Sequence, residues 1–376
     1  MIVRCASYIP RFQCLADNCP DTCCQGWEIQ IDPKTLESYR EERGPLKRPL
    51  RRWVDFSAKS LIFRNGVCPF LEQGLCRLQK EKGEGMLCTA CRRYPRHMEE
   101  YGARREWSLS LSCPAAVDLV LNQREPIKFI EKELPKTARP EEEVEADLLS
   151  ALLAVRDTAI QISQDRKLPL ETRMAAVLAM AHDVQSRLGT YQNRPRLAAV
   201  AKVLEKYRFA AAENRPGLLR RLDFCRVDSR SRERLLDRLS DLLWELPPAC
   251  RRWKQCLSRA SFSAFRESQG PGRGSAAKEK SQVCYEHLLV TYLDLYLVGA
   301  VYDDDVFTKA KLAVYHCLML KKMEKRLGEE LPEFLYIYAR EVEHEESNLE
   351  YLEKRLASKK EFNLNIFLAC ILSPLD

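Results

Sequence analysis

Past residue 145 the apolar positions of the chain recur at helical spacing, whereas before residue 116 they come in short, broken runs. Leu148, Leu149, Leu152, Leu153, Val155, Ala159 and Ile160 make the wide apolar stripe of a half-buried helix. Met174, Val177, Leu178, Ala181 and Val184 repeat it, and Gly189 suits the left-handed residue that ends such a helix. Asn193-Arg194-Pro195 starts another helix towards Ala212. Asp228 or Ser229 caps a helix carrying Leu235, Leu236, Leu239, Leu242 and Leu243, which Pro247-Pro248 stops. Three long helices fit Val283–Val301, Val306–Leu327 and Leu331–Leu356, followed by an apolar tail, Phe362–Leu372. In the first third, Ile29-Gln30-Ile31-Asp32 alternates like a short strand. Asp32-Pro33 opens a helix through Tyr39, and Leu61-Ile62-Phe63 is a second strand candidate.

The expected fold is therefore mainly α. A small cysteine-rich metal-binding module with short strands occupies residues 1–116, and an all-α helical domain occupies 117–376. A charged bridge with two prolines, Pro135 to Glu143, lies early in the second part. The glycine-bearing stretch around 267–281 has no apolar period and reads as a flexible loop. A chain of 376 residues exceeds the size at which a single core usually stops growing, which agrees with two domains.

Composition changes this picture in one respect. Of 16 cysteines, ten lie between Cys5 and Cys113. The net charge of +7 is modest and its basic residues form no clear stripe, so no nucleic acid is expected as a partner. Val283–Val301 carries Glu286, His287 and Asp294 and falls short of the roughly 20 apolar residues that a bilayer span needs. With no leader-like N-terminal segment, a cytoplasmic protein is expected, and thiols there stay reduced. Clustered cysteines then point to a metal rather than to disulfides.

The pattern runs Cys14-x4-Cys19-x3-Cys23-Cys24, then Cys68-x7-Cys76, Cys88-x2-Cys91 and Cys113. The two-residue spacing of Cys88 and Cys91 lets one turn present two thiolates to one centre. Pro69 and Gly74 place Cys68 and Cys76 in turn-like chain. Adjacent Cys23 and Cys24 are expected to point apart, as consecutive side chains do in extended chain. The metal-ligand candidates are thus Cys68, Cys76, Cys88 and Cys91, followed by Cys19, Cys23, Cys24 and Cys113, with Cys14 next. All-sulfur coordination suits zinc or iron–sulfur and disfavours magnesium or calcium. Cys225, Cys250, Cys256, Cys284, Cys317 and Cys370 read as packing residues, and Cys5 is unassigned.

The stretch Cys19-Pro20-Asp21-Thr22-Cys23-Cys24-Gln25-Gly26-Trp27-Glu28-Ile29-Gln30-Ile31-Asp32 resembles the opening motif of the flagellin lysine N-methylase family. Cys68-Pro69-Phe70-Leu71, Gly74-Leu75-Cys76-Arg77-Leu78, Leu87-Cys88-Thr89-Ala90-Cys91-Arg92-Arg93-Tyr94-Pro95-Arg96 and Ser108-Leu109-Ser110-Leu111-Ser112-Cys113-Pro114 resemble it too. More loosely, the same cysteine grammar is similar to that of small zinc- or iron-chelating domains. The family motifs cover about residues 12–116, and nothing in 117–376 is specific enough to stand alone. The resemblance implies ε-N-methylation of surface lysines on bacterial flagellin. It also implies a cytoplasmic bacterial enzyme with an iron–sulfur centre, 4Fe–4S in type or zinc as the alternative, and S-adenosylmethionine as donor.

Tests against other motifs leave the catalytic and donor-binding residues unassigned. Gly270-Pro271-Gly272-Arg273-Gly274 does not follow a strand, as a dinucleotide-type cofactor loop does. Cys19-x3-Cys23 begins the spacing of a radical S-adenosylmethionine enzyme, but Gly26 stands where the third cysteine belongs. His287 and His316 read as core histidines, and Glu341, Glu343, His344, Glu345 and Glu346 as a solvated helix face. Tyr285, Tyr292, Tyr296, Tyr302, Tyr336 and Tyr338 read as core rather than as a lysine channel, and Trp27 as a lid over the centre. Arg92, Arg93 and Arg96 place positive charge beside the thiolates. The competing function is a non-catalytic metal-binding module that docks a partner through its helices.

Overall fold

Asp32 begins the first helix as expected, its carboxylate accepting the Thr35 N–H at 3.1 Å with Pro33 in the first turn. In the computed structural model this helix, α1, spans Pro33–Glu41, and the description covers residues 1–135, 144–190, 196–208, 215–247, 251–262 and 275–373. It follows strand β1 (Ile2–Ala6) and precedes α2 (Lys47–Trp53). The short strands β2 (Val54–Asp55), β3 (Ser60–Leu61), β4 (Leu71–Glu72) and β5 (Leu75–Cys76) come next. The series continues with α3 (Arg77–Lys82), α4 (Thr89–Arg93), β6 (Arg96–Tyr101), β7 (Arg104–Leu109), α5 (Pro114–Leu121) and β8 (Phe129–Glu133). The remaining elements are helical: α6 (Ala146–Ser163), α7 (Leu170–Thr190), α8 (Arg196–Tyr207), α9 (Arg215–Asp223), α10 (Ser229–Glu245) and α11 (Arg251–Phe262). They end with α12 (Ser275–Tyr296), α13 (Val306–Leu327), α14 (Leu331–Val342), α15 (Glu346–Leu356) and α16 (Leu364–Leu372).

The mainly helical class and the short-stranded N-terminal region match the expectation; several details do not. Ile29–Asp32 is not a strand: only Gln30 makes an isolated bridge, to Ser60. Of the second candidate only Leu61 is in a strand, and Ile62 and Phe63 lie beyond it. Gly189 lies inside the last turn of α7 rather than after it. The helix expected from residue 193 ends at Tyr207, with 209–214 outside the described residues. Leu331–Leu356 is two helices, broken at Glu343–Glu345. Residues 267–274 of the expected loop and 136–143 of the charged bridge fall outside the described residues, whereas 275–281, expected in that loop, are the first turns of α12.

An unexpected four-stranded sheet orders β6-β7-β1-β8. β1 runs parallel to β7, pairing Ile2 with Arg104 and Cys5 with Trp107, and antiparallel to β8, pairing Ala6 with Phe129. β6 and β7 form a hairpin turned at Gly102, where φ is +58°. Arg4, Arg104, Glu106 and Arg156 are buried beneath it, and Arg4 Nη1 bonds Asp294 Oδ1 at 2.5 Å. Arg104 and Arg156 both bond Glu106, so the sheet is clamped to α6 and α12 by paired charges.

The described residues form two apolar cores. A small one collects Ile29, Ile31, Leu36, Leu50, Val54, Phe70 and Leu87 around Cys68 and Cys88. The large one gathers α5 to α16 and takes in Ala6, Ile9 and Leu111 from the N-terminal region. Each fully buried Leu or Phe contributes about 1.5–3 kcal/mol, so the small core is modest and depends on the polar ties described next.

Candidate functional site

Four separate chain segments bring the cysteines to one place, each by a local device. In the first, the Cys19 thiol donates to Asp21 O at 3.2 Å and the Cys24 N–H donates to Thr22 Oγ1 at 3.1 Å. This makes a tight turn that Gly26 leaves at φ +89°, its N–H donating to Gly66 O at 3.0 Å. The second segment is held against the first where Cys68 N–H donates to Cys24 O at 2.7 Å. Cys76 ends the β4–β5 hairpin, whose turn residues Gln73 and Gly74 have φ of +53° and +79°, as a mirror-image two-residue turn requires. Cys88 stands just before α4, which carries Cys91, and the Thr89 N–H donates to Asp32 Oδ2 at 2.8 Å. Cys113 precedes Pro114 at the start of α5.

The thiols meet in pairs. Cys91 donates to Cys88 and lowers its pKa, as the two-residue spacing suggested. Cys23 likewise donates to Cys24 and lowers its pKa, which corrects the expectation that adjacent cysteines diverge. Residues 23 and 24 form a turn, not extended chain, and in a turn consecutive side chains can converge. Burial raises the Cys68 thiol to about 12 and the Cys113 thiol to about 11. By mutual electrostatic influence Cys24, Cys68, Cys76, Cys88 and Cys91 make an inner set and Cys14, Cys19 and Cys113 an outer set, with Cys23 tied to both. Among the described residues no three His, Cys, Asp or Glu side chains already stand close enough to grip one ion. Cys5 lies in β1, against the large core and away from both sets.

Both sets border a cleft of about 710 Å³. Cys14, Cys19, Cys23, Cys24, Cys76, Cys91 and Cys113 line one side, while Cys68 and Cys88 are buried behind it. The opposite wall comes from the break between α14 and α15: Arg340, Glu341, His344, Glu345 and Glu346. The expected solvated helix face is thus a cleft wall, with Glu341 buried, because the helix stops there. Trp27 lines the cleft, and its ring packs at 4.3 Å from His344 and 4.8 Å from Tyr94, with Arg340 Cζ 5.2 Å away. Desolvation against its neighbours, and then the Arg340 charge, lower the pKa of His344.

A buried carboxylate joins the two sides. Asp21 Oδ2 sits 3.1 Å from Arg340 Nη1 and 3.2 Å from Arg252 Nη1, and Gln25 Nε2 donates to its Oδ1 at 2.7 Å. Arg92 and Arg96 also line the cleft, Arg92 bonding Leu87 O at 3.1 Å, whereas Arg93 does not border it. His287 and His316 are core residues, bonded to Glu125 O and to the Tyr338 hydroxyl. Tyr285, Tyr292, Tyr296, Tyr336 and Tyr338 are core as expected, but Tyr302 is exposed. Cys256, Cys317 and Cys370 are buried packing residues, Cys225 and Cys284 are partly buried, and Cys250 lies outside the described residues. Asp21 stood only inside the family motif, His344 only within the acidic run read as a solvated face, and Arg340 was not singled out; its place on an otherwise apolar face of α14 is its one trace.

Among the described residues no helix is long and apolar enough to cross a membrane. Residues 156–370 match the model of the FliB lysine N-methylase C-terminal domain. Lysine-N-methylases of Salmonella typhimurium (strain LT2) and Salmonella choleraesuis (strain SC-B67) are 30% identical over 139 residues, which is 34% of this chain and 34% of each relative. The flagellar biosynthetic protein FliU of Salmonella muenchen is 30% identical over 139 residues, 34% of this chain and 80% of that protein. The chain thus spans about a third of the length of the first two relatives. No solved structure matches. The family match falls on the helical part, where no motif stood out, and it includes the α14 residues Arg340 and Glu341 that wall the cysteine cleft. It agrees with the resemblance read from the cysteine motifs, and it covers more than half of the chain: the chain belongs to the FliB lysine N-methylase family.

Proposed function

We propose that the chain is a protein-lysine N-methyltransferase acting on surface lysines of bacterial flagellin, with a cysteine-held iron–sulfur centre and S-adenosylmethionine as methyl donor. The observation that carries the reading is the cleft itself, in which the patterned thiols face a wall supplied by the family-matched helices. The donor set fits an iron–sulfur group: it is all sulfur, drawn from four segments, and its buried thiols are costly to ionise without a cation beside them. Cys68, Cys76, Cys88 and Cys91, with Cys24 beside them, would hold a 4Fe–4S group, and Cys19, Cys23 and Cys113 stand next to it. When bound, such a group supplies either a structural clamp on the four segments or a soft electrophilic centre near the substrate.

The rest of the chemistry falls to the chain. A lysine ammonium has no lone pair, so it must lose a proton before it can attack a methyl group. Glu28, Glu345 and Glu346 give the cleft an acidic rim that attracts the ammonium. Trp27 and Tyr94 offer aromatic faces to it and to its methylated product, a contact of about 0.5–2 kcal/mol. The cytoplasm, where thiols stay reduced, is the compartment that suits this site.

The test is co-expression with flagellin, intact-mass measurement for methyl increments, and iron analysis of protein purified without oxygen. Brown, iron-containing protein and added methyl groups on flagellin are expected, with iron falling in Cys88→Ser and Cys91→Ser. Colourless protein with stoichiometric zinc removes the iron–sulfur part. Metal-loaded protein that leaves flagellin unmodified in the presence of donor removes the methyl transfer and leaves a docking module.

A further inference from the structure

At the start of α7 a half-enclosed cavity of about 260 Å³ opens between that helix and α10, α12, α13 and α16. Pro169 O accepts the Arg173 N–H at 3.1 Å, so the N–H groups of Leu170, Glu171 and Thr172 have no acceptor within the helix. Glu171 turns its carboxylate back on its own N–H and pairs with Lys321 at 2.7 Å. The other two N–H groups, with the positive end of the helix dipole, belong to residues that border the cavity.

The second observation is Arg232, which also lines the cavity and is only 7% exposed. Its Nε donates to Cys370 O at 2.9 Å, and among the described residues no carboxylate pairs with its guanidinium. Its two terminal nitrogens are left without a protein acceptor among those residues. A buried guanidinium without a bonded anion is costly; burial lowers its pKa, partly offset by the nearby Glu233 and Glu171 carboxylates. Arg226, bonded to Leu372 O and paired through Nε with Asp223 at 3.0 Å, brings a second guanidinium to the same cavity. Against these stand Leu170, Met174, Leu318 and Ile371, an apolar wall without donors.

We infer that this cavity binds a small organic carboxylate, its oxygens on Arg232 and the α7 N-terminus and its short hydrocarbon part on the apolar wall. A guanidinium takes a carboxylate by two parallel hydrogen bonds. Inorganic phosphate, charged on every side, would set part of that charge against Leu170, Met174, Leu318 and Ile371. The volume lies just below the usual range of about 300–1,000 Å³, which limits the ligand to a few heavy atoms. The site is independent of methyl transfer, so binding is read with neither flagellin nor donor present.

The experiment is calorimetric titration of the full chain with butyrate, and separately with inorganic phosphate, at fixed ionic strength. Saturable butyrate binding is expected, weakened about tenfold or more in both Arg232→Gln and Arg226→Gln, with phosphate weaker by a similar factor. Arg226 is largely at the surface, so its variant reads the site even if the Arg232 variant unfolds. Absence of saturable butyrate binding to the unmodified chain, unchanged affinity in Arg226→Gln, or phosphate binding as tightly as butyrate overturns the inference.

Discussion

Glu343 shows what enclosure does to one carboxyl group. It accepts the Tyr292 hydroxyl at 2.5 Å, beside the stacked ring of Tyr296 and the buried pair of His316 and Tyr338. Burial raises its pKa from 4.5 to about 8, and His316 is pushed down to about 3, so both are neutral in the folded protein at neutral pH. The folded pKa lies above the unfolded one, so this group's stabilisation is complete below about pH 4.5 and is lost as pH rises through 8. Glu343→Gln keeps an acceptor for Tyr292 and removes the titration. Urea unfolding from pH 5 to 8 should therefore show the unmodified protein losing stability relative to the variant; parallel profiles would mean that the carboxyl is not enclosed in solution.

Among elements, the link between α1 and α4 runs through one side chain. Asp32 caps α1 and also accepts the Thr89 N–H that begins the Cys88–Cys91 turn, and these bonds hold its carboxyl well below the usual range. Asp32→Ala should cost about 0.5–2 kcal/mol, the ordinary worth of a cap, and should also speed alkylation of Cys88 and Cys91. Unchanged thiol reactivity would confine the residue to α1. The first half of this role was legible, because Asp-Pro before an apolar period announces a helix start. Thr89 was not, since nothing in local spacing joins residues 57 positions apart. The sheet escaped for a related reason. Arg104 and Glu106 alternate with Arg105 and Trp107 in β7, yet the charged pair faces inward, so the buried side carries no apolar signature. Likewise the stretch from Leu331 to Leu356 keeps helical spacing across its break.

For the whole molecule, the decisive joint is Asp21 with Arg340 and Arg252, which ties the first cysteine turn to α14 and α11. Removing one partner of such a buried pair costs about 3–5 kcal/mol. Asp21→Asn should do so in denaturant melts and should alter Trp27 fluorescence, since Arg340 also lies over that ring. A variant as stable as the parent, with unchanged emission, would show that the joint is not what holds the two sides together. The thiol side of the cleft was readable from cysteine spacing, because each ligand candidate sits in its own short turn. The other wall was not, because Arg340 meets Ser112 across 228 positions of chain. That separation also sets an order in time. At about 5–20 residues per second, a ribosome needs roughly 11–46 s to pass from Ser112 to Arg340. Through that interval every patterned cysteine has been made while the wall that will face it has not, so the thiols stand open to whatever delivers metal or oxidant.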